Sequence, residues 1–196
     1  HLVQFAHMGA LFAEEILGLP NPEVRLLSIG EEPEKGNELT LEAHELLSRS
    51  GLNFAGNAEG RDLLAKAADV VVTDGFTGNV ALKSIEGAAK ATMLTAVDAI
   101  KSNPVSKIGG LLAKRSLMKV RTEVDPNTTG GALLLGLRGI SVVAHGSSNA
   151  DGIAAAIRLA AQSAERDVPG QIATAIAELA AQQAAEDVVT VASDDA

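Results

Sequence analysis

Cysteine is absent from the 196 residues, which excludes disulfides, thiolate metal ligands and a cysteine nucleophile in one step and fits a reducing, cytoplasmic setting. Tryptophan and tyrosine are absent as well and only four phenylalanines remain, so the core must be aliphatic and ring platforms for stacking bases are effectively unavailable. Positive charge is in deficit. A net charge of -9 repels a phosphodiester backbone and argues against a nucleic-acid partner. Charges break every apolar stretch before the roughly 20 residues that a membrane span needs, and no signal peptide opens the chain, so a soluble or peripheral protein is expected. The histidines form neither an HExxH motif nor a cluster, so no metal is expected. No segment reads GxGxxG or GxxxxGK[ST], so no nucleotide cofactor is expected. No Met or capping residue precedes the helical pattern that starts at His1, and the chain reads as a fragment.

What is present is an alternation of helices and strands. Helical spacing runs from His1 to Leu17, then Gly18, Pro20 and Pro22 forbid continuation. Val24 to Ile29 reads as a strand, Glu38 to Ser50 as a helix, Asn53 to Ala55 as a brief strand and Arg61 to Ala67 as one or two helical turns. The run Ala68 to Thr73 is the clearest strand, and its continuous valines suit burial on both faces of a parallel sheet. Asp74-Gly75 reads as a turn, and a long Ala-rich helix is expected from about Gly78 to Ser102, where Pro104 stops it. After a basic segment come GGALLLGL, the strand ISVVAHG, two Ala-rich helices split at Pro169-Gly170, and an acidic tail. The pattern predicts an α/β fold with a mostly parallel sheet and right-handed crossovers, with function at the strand C-terminal ends. Residues 1–168 read as one α/β domain with a helical, basic excursion at about 78–125, and 169–196 as a C-terminal helix and tail.

Three polar loops, EKGNELT, TDGFTGNV and AHGSSNADG, each follow a strand and precede a helix. Helix N-termini offer unpaired N–H groups and partial positive charge, which together favour an anion such as phosphate. Helix capping and tight turns account for Asn37, Thr77, Asn79, Ser147, Ser148, Asn149 and the glycines equally well when each loop is taken alone. Lys35 offers a full charge and Asn79 an amide donor, the groups that stabilise a phosphate or a developing oxyanion. His145 ranks below them as an acid or donor, and Asp74 fits either an orienting role or an Asx turn. A serine hydrolase built on His145 and Ser147 lacks both a GxSxG elbow and an evident acid.

At TDGFTGNVALKSIEG, Thr73 to Gly87, the sequence resembles the PlsX family of phosphate acyltransferases, and HLVQFAHMGA, KGNELT, NFAGNAEGRDLL and GGALLLGLRGISVVAHGSSNADG continue the likeness in family order. It covers His1 to about Ala164. The resemblance implies a fold similar to phosphotransacetylases and to isocitrate and isopropylmalate dehydrogenases, with the family's N-terminal half, which opens on a DAMGGD-type segment, missing here. It also implies a homodimer and the transfer of a fatty acyl group from acyl carrier protein to inorganic phosphate, giving acyl phosphate for phospholipid synthesis. On that basis Lys35 and Asn79 are the expected catalytic donors. Asn37, Asp74, Gly75, Thr77, Gly78, His145, Gly146, Ser147, Ser148 and Asn149 are the expected lining of the phosphate or thioester site. Two alternatives stand beside this reading: a phosphotransacetylase-like enzyme using acyl-CoA, and a non-catalytic scaffold that binds acyl carrier protein or lipid.

Lys101 to Arg121 holds six basic residues and no acidic one. Ile108, Leu111 and Leu112 share a helical face with Met118 nearby, although Arg115 intrudes on it. With Lys107 and Lys114 alongside, this is the composition of a peripheral segment at an anionic membrane surface, and an acidic carrier protein could use the same charges.

Overall fold

A computed structural model describes residues 1–65, 67–123 and 131–194. They fall into two compact units, one comprising His1–Thr73, Ala132–Val143 and Ile157–Ala196, the other Asp74–Gly131 and Ala144–Ala156.

The first unit is built on a parallel sheet of β1 (Val24–Leu27), β2 (Phe54–Ala58) and β3 (Val70–Val72) in the order β2-β1-β3. Helix α1 (Leu2–Glu15) buries Leu2, Val3, Ala6, Ala10 and Ala13, a stripe at three- and four-residue spacing. It ends where Gly18 takes φ +69 and the Leu19 amide bonds back to the Ala13 carbonyl. Helix α2 (Glu38–Ser48) buries Ala43 and Leu47, and these join Val24, Leu26, Val72 and Leu179 in one aliphatic core. Leu179 belongs to the last helix, here α6 (Val168–Asp194), which packs on α1. A 3-10 turn, Asp62–Leu64, stands where one or two helical turns were expected.

One expectation needs correction. The valine run of β3 lies at one edge of the described sheet and only Val72 is buried; the fully covered position belongs to β1, between its neighbours. A short apolar run satisfies a central and an edge strand alike. The mostly parallel sheet is as expected, and β4 (Ala132–Leu133) and β5 (Val142–Val143) form a separate antiparallel pair. The segment between them is short enough for a hairpin, which GGALLLGLRG spells with glycines on both sides.

The second unit carries α3 (Gly75–Lys101) and α4 (Pro104–Glu123), which pack on each other, with Gly110 set against Ile100 so closely that a Cβ there would overlap it. No residue of α3 is buried. Helix α5 (Ala150–Glu165) begins in this unit. Of the excursion expected at 78–125, residues 124 and 125 lie outside the described residues.

Candidate functional site

Each of the three polar segments follows a strand and runs into the start of a helix. In the first unit, β1 hands over to the segment 28–37, which is fixed by its own backbone and by short side chains. The Lys35 amide donates to the Glu32 carbonyl at 3.1 Å, and the Ser28 hydroxyl donates to the Lys35 carbonyl at 2.9 Å. Gly36 has φ +125, and a Cβ there would collide with the Thr40 hydroxyl and crowd Ser28. Asn37 is the N-cap of α2, its Oδ1 accepting from the Thr40 amide at 3.0 Å, so half of its side chain is committed to the helix. The stem of Lys35 crosses Gly30, where a Cβ would meet it, and the side chain is exposed.

In the second unit, Asp74 is the N-cap of α3 and accepts from the amides of Phe76 and Thr77 at 2.9 Å each. The side chain and amide of Thr77, then the Phe76 amide, hold the Asp74 carboxyl below its ordinary range. Gly78 donates to the Asp74 carbonyl. Gly75 to Gly78 are therefore the first helical turn rather than a loop, and the amides of residues 76–78 are already engaged within it. The cap thus takes up the Phe76, Thr77 and Gly78 amides, among the backbone donors expected to line an anion site. Asn79 follows on the second turn, in an open groove of about 440 Å³ lined by Phe76, Asn79, Val80, Lys83 and Ser84.

Lys83 was not singled out by sequence, although it stands four residues after Asn79 and so shares its face. It pairs with Glu86 at 2.9 Å, and the Lys83 hydrogen bond first, with His145 contributing, lowers the Glu86 carboxyl. His145 Nδ1 lies 2.7 Å from the Ser147 hydroxyl and 3.2 Å from the Ser147 amide. An amide N–H can only donate, so Nδ1 is the acceptor, the hydroxyl donates to it, and the ring proton sits on Nε2. Ser148 closes the turn by donating its amide to the His145 carbonyl, and Asn149 accepts from Gly152 at the start of α5. His145, Gly146 and Ser147 are exposed.

Lys35 therefore belongs to the first unit, and Asn79, Lys83 and His145 to the second. Among the described residues no group of His, Asp and Glu side chains is placed to hold a metal ion. On α4, Val105, Ile108, Leu111, Leu112 and Met118 are all exposed, as the sequence pattern expected of the last four. Lys107, Lys114 and Arg115 are exposed beside them. No described helix is long and apolar enough to cross a membrane.

The fold and these junctions define an α/β protein whose polar chemistry is gathered at the starts of helices that follow strands. Residues 1–171 match the family described as fatty acid synthesis protein. The phosphate acyltransferase of Thermobifida fusca (strain YX) is 53% identical over 163 residues, 81% of this chain and 45% of that protein. The phosphate acyltransferases of Elusimicrobium minutum (strain Pei191) and Anoxybacillus flavithermus are each 47% identical, over 91% of this chain and 52% and 54% of theirs. The chain belongs to this family, the PlsX family of fatty acid synthesis proteins. It spans about half the length of the curated relatives it matches.

Proposed function

We propose that the protein transfers a fatty acyl group from acyl carrier protein to inorganic phosphate, giving an acyl phosphate for phospholipid synthesis. The observation that carries this reading is the 47–53% identity to proteins named phosphate acyltransferase. In the reaction a phosphate oxygen attacks the thioester carbonyl carbon and a tetrahedral oxyanion forms. The C–S bond then breaks, and the carrier thiolate leaves with the proton that the phosphate gives up. Phosphate is itself the nucleophile, so a chain without cysteine loses nothing. The protein's task is to align phosphate with thioester and to meet the oxyanion with fixed donors. Lys35 supplies a charge from a clamped loop and Asn79 an amide N–H from the second turn of α3. Phe76, 80% exposed, and Val80 beside Asn79 give that groove an apolar wall, which favours a fatty chain over the acetyl group of a phosphotransacetylase.

The same reading makes the protein a cytoplasmic homodimer in peripheral contact with an anionic membrane. A 27-residue helix with no buried residue, rich in alanine, suits close approach by a second copy. The basic, leucine-bearing α4 suits a lipid surface, where an acyl phosphate is best released. For the site, Lys35→Ala and Asn79→Ala in the full-length protein should each lower turnover by at least ~10²-fold with an unchanged circular dichroism melt, by analogy with lost oxyanion donors. Near-normal rates in both variants would remove these residues from the mechanism.

A further inference from the structure

We propose that Asn57 and His44 are positioning residues that hold Lys35 in place from beneath its loop; this rests on the reading of Lys35 as the anion-binding donor. The sequence around Asn57 makes a poor strand, FAGNA, with neither β-branched residues nor alternation. The pairing shows why. Val24 faces Phe54 but Leu26 faces Asn57, so β2 spends one residue more than β1 over this step, and Gly56 takes φ +87 at that point. The extra residue turns Asn57 into the protein, where it is 2% exposed.

Once buried, its amide has only one way round. The Glu32 carbonyl lies 2.9 Å from one end of the side chain and can only accept, so that end is Nδ2; Oδ1 then faces His44 Nδ1, also at 2.9 Å, which must carry a proton. The His44 ring is set in turn by edge-on contact with Phe54, centroids 5.2 Å apart. The Glu32 carbonyl is the oxygen that also accepts the Lys35 amide, so one acceptor takes a buried donor from below and closes the turn that carries Lys35 above. Arg61 reaches Glu31 of the same loop at 3.2 Å, but both side chains are more than 60% exposed, so that pair adds little beside the buried one. A donor fixed in this way loses no time reorganising, and a displacement of about 1 Å far from the chemistry can cost up to about 10²-fold in rate.

The test uses the full-length protein. Asn57→Asp keeps the shape but replaces the donor to Glu32 with an oxygen that repels the carbonyl. Amide exchange at Lys35 should accelerate at least ~10-fold, and acyl-phosphate formation should fall by about 10- to 100-fold. In a Lys35→Ala background the same change should cost nothing further, because the residue being positioned is gone. If Asn57→Asp does not fold, His44→Leu serves instead. It leaves Asn57 in place and should act in the same direction, and His44→Gln, which restores an N–H donor, should recover most of the rate. Unchanged exchange at Lys35, or losses that multiply with Lys35→Ala, would overturn the proposal. If Lys35→Ala itself has normal turnover while Asn57→Asp still speeds exchange, the catalytic reading of Lys35 falls, and with it the functional half of the proposal, while the clamp stands.

Discussion

Membrane contact through α4 can be tested by replacing Leu111 and Leu112 together with glutamate. The two side chains are 71% and 81% exposed. Fully burying a leucine is worth about 1.5–3 kcal/mol, so sinking the exposed share of both is worth about 2–4.5 kcal/mol. That corresponds to about 30- to 2,000-fold in partitioning, before the repulsion that two new carboxylates meet at an anionic surface. Lys107, Lys114 and Arg115 lie on the same helix and each add about 1 kcal/mol near such a surface, a contribution that salt removes. Sedimentation with phosphatidylglycerol vesicles at low and high salt reads both effects. The unaltered full-length protein should pellet at low salt and release as salt rises, and the double variant should lose at least ~30-fold in binding while transferring acyl groups normally in solution. Because neither leucine is buried, the variant should also melt as the parent does. Undiminished vesicle binding would show that the apolar face of α4 is not the anchor.

Two further outcomes are expected. Asp74 is held below the ordinary carboxylate range by the bonds it accepts from Thr77 and Phe76, so its contribution to stability is complete above that range and is lost as pH falls through the lowered value. The thermal midpoint should therefore drop more steeply below about pH 4 than in Asp74→Asn, which keeps a cap acceptor but has no charge to lose; parallel curves would contradict the cap assignment. The proposed homodimer predicts twice the protomer mass for the full-length protein in sedimentation at micromolar concentration, and a monomer there would refute it.

Most of the element order was legible because it is written locally. Asn37 before α2 is a side chain that caps the helix it precedes, and a single sequence shows such a cap. The start of α3 was misplaced by three residues because Asp-Gly spells a turn as readily as a cap followed by the first helical residue. The sequence pattern places strand β2 at Asn53 to Ala55, whereas it runs from Phe54 to Ala58, since a bulged strand loses the period on which recognition depends. The exposure of Ile108, Leu111 and Leu112 followed from their spacing among basic residues. Nothing in the chain announced that Asn57, thirteen residues from His44 and twenty-five from Glu32, would bridge the His44 ring and the Glu32 carbonyl. That meeting depends on the register of β1 against β2, and register is a tertiary fact. Lys83 is different, because its i, i+4 relation to Asn79 is written in the sequence.

The full-length protein is tested most directly by what it makes. Supplied with long-chain acyl carrier protein and labelled inorganic phosphate, it should release acyl phosphate and free carrier thiol in equal amounts, with no such turnover of acetyl-CoA. Turnover of acetyl-CoA without turnover of the acyl carrier would contradict the account in favour of a short-chain phosphotransacetylase, and no acyl phosphate from any donor would leave a scaffold that binds carrier or lipid without catalysis.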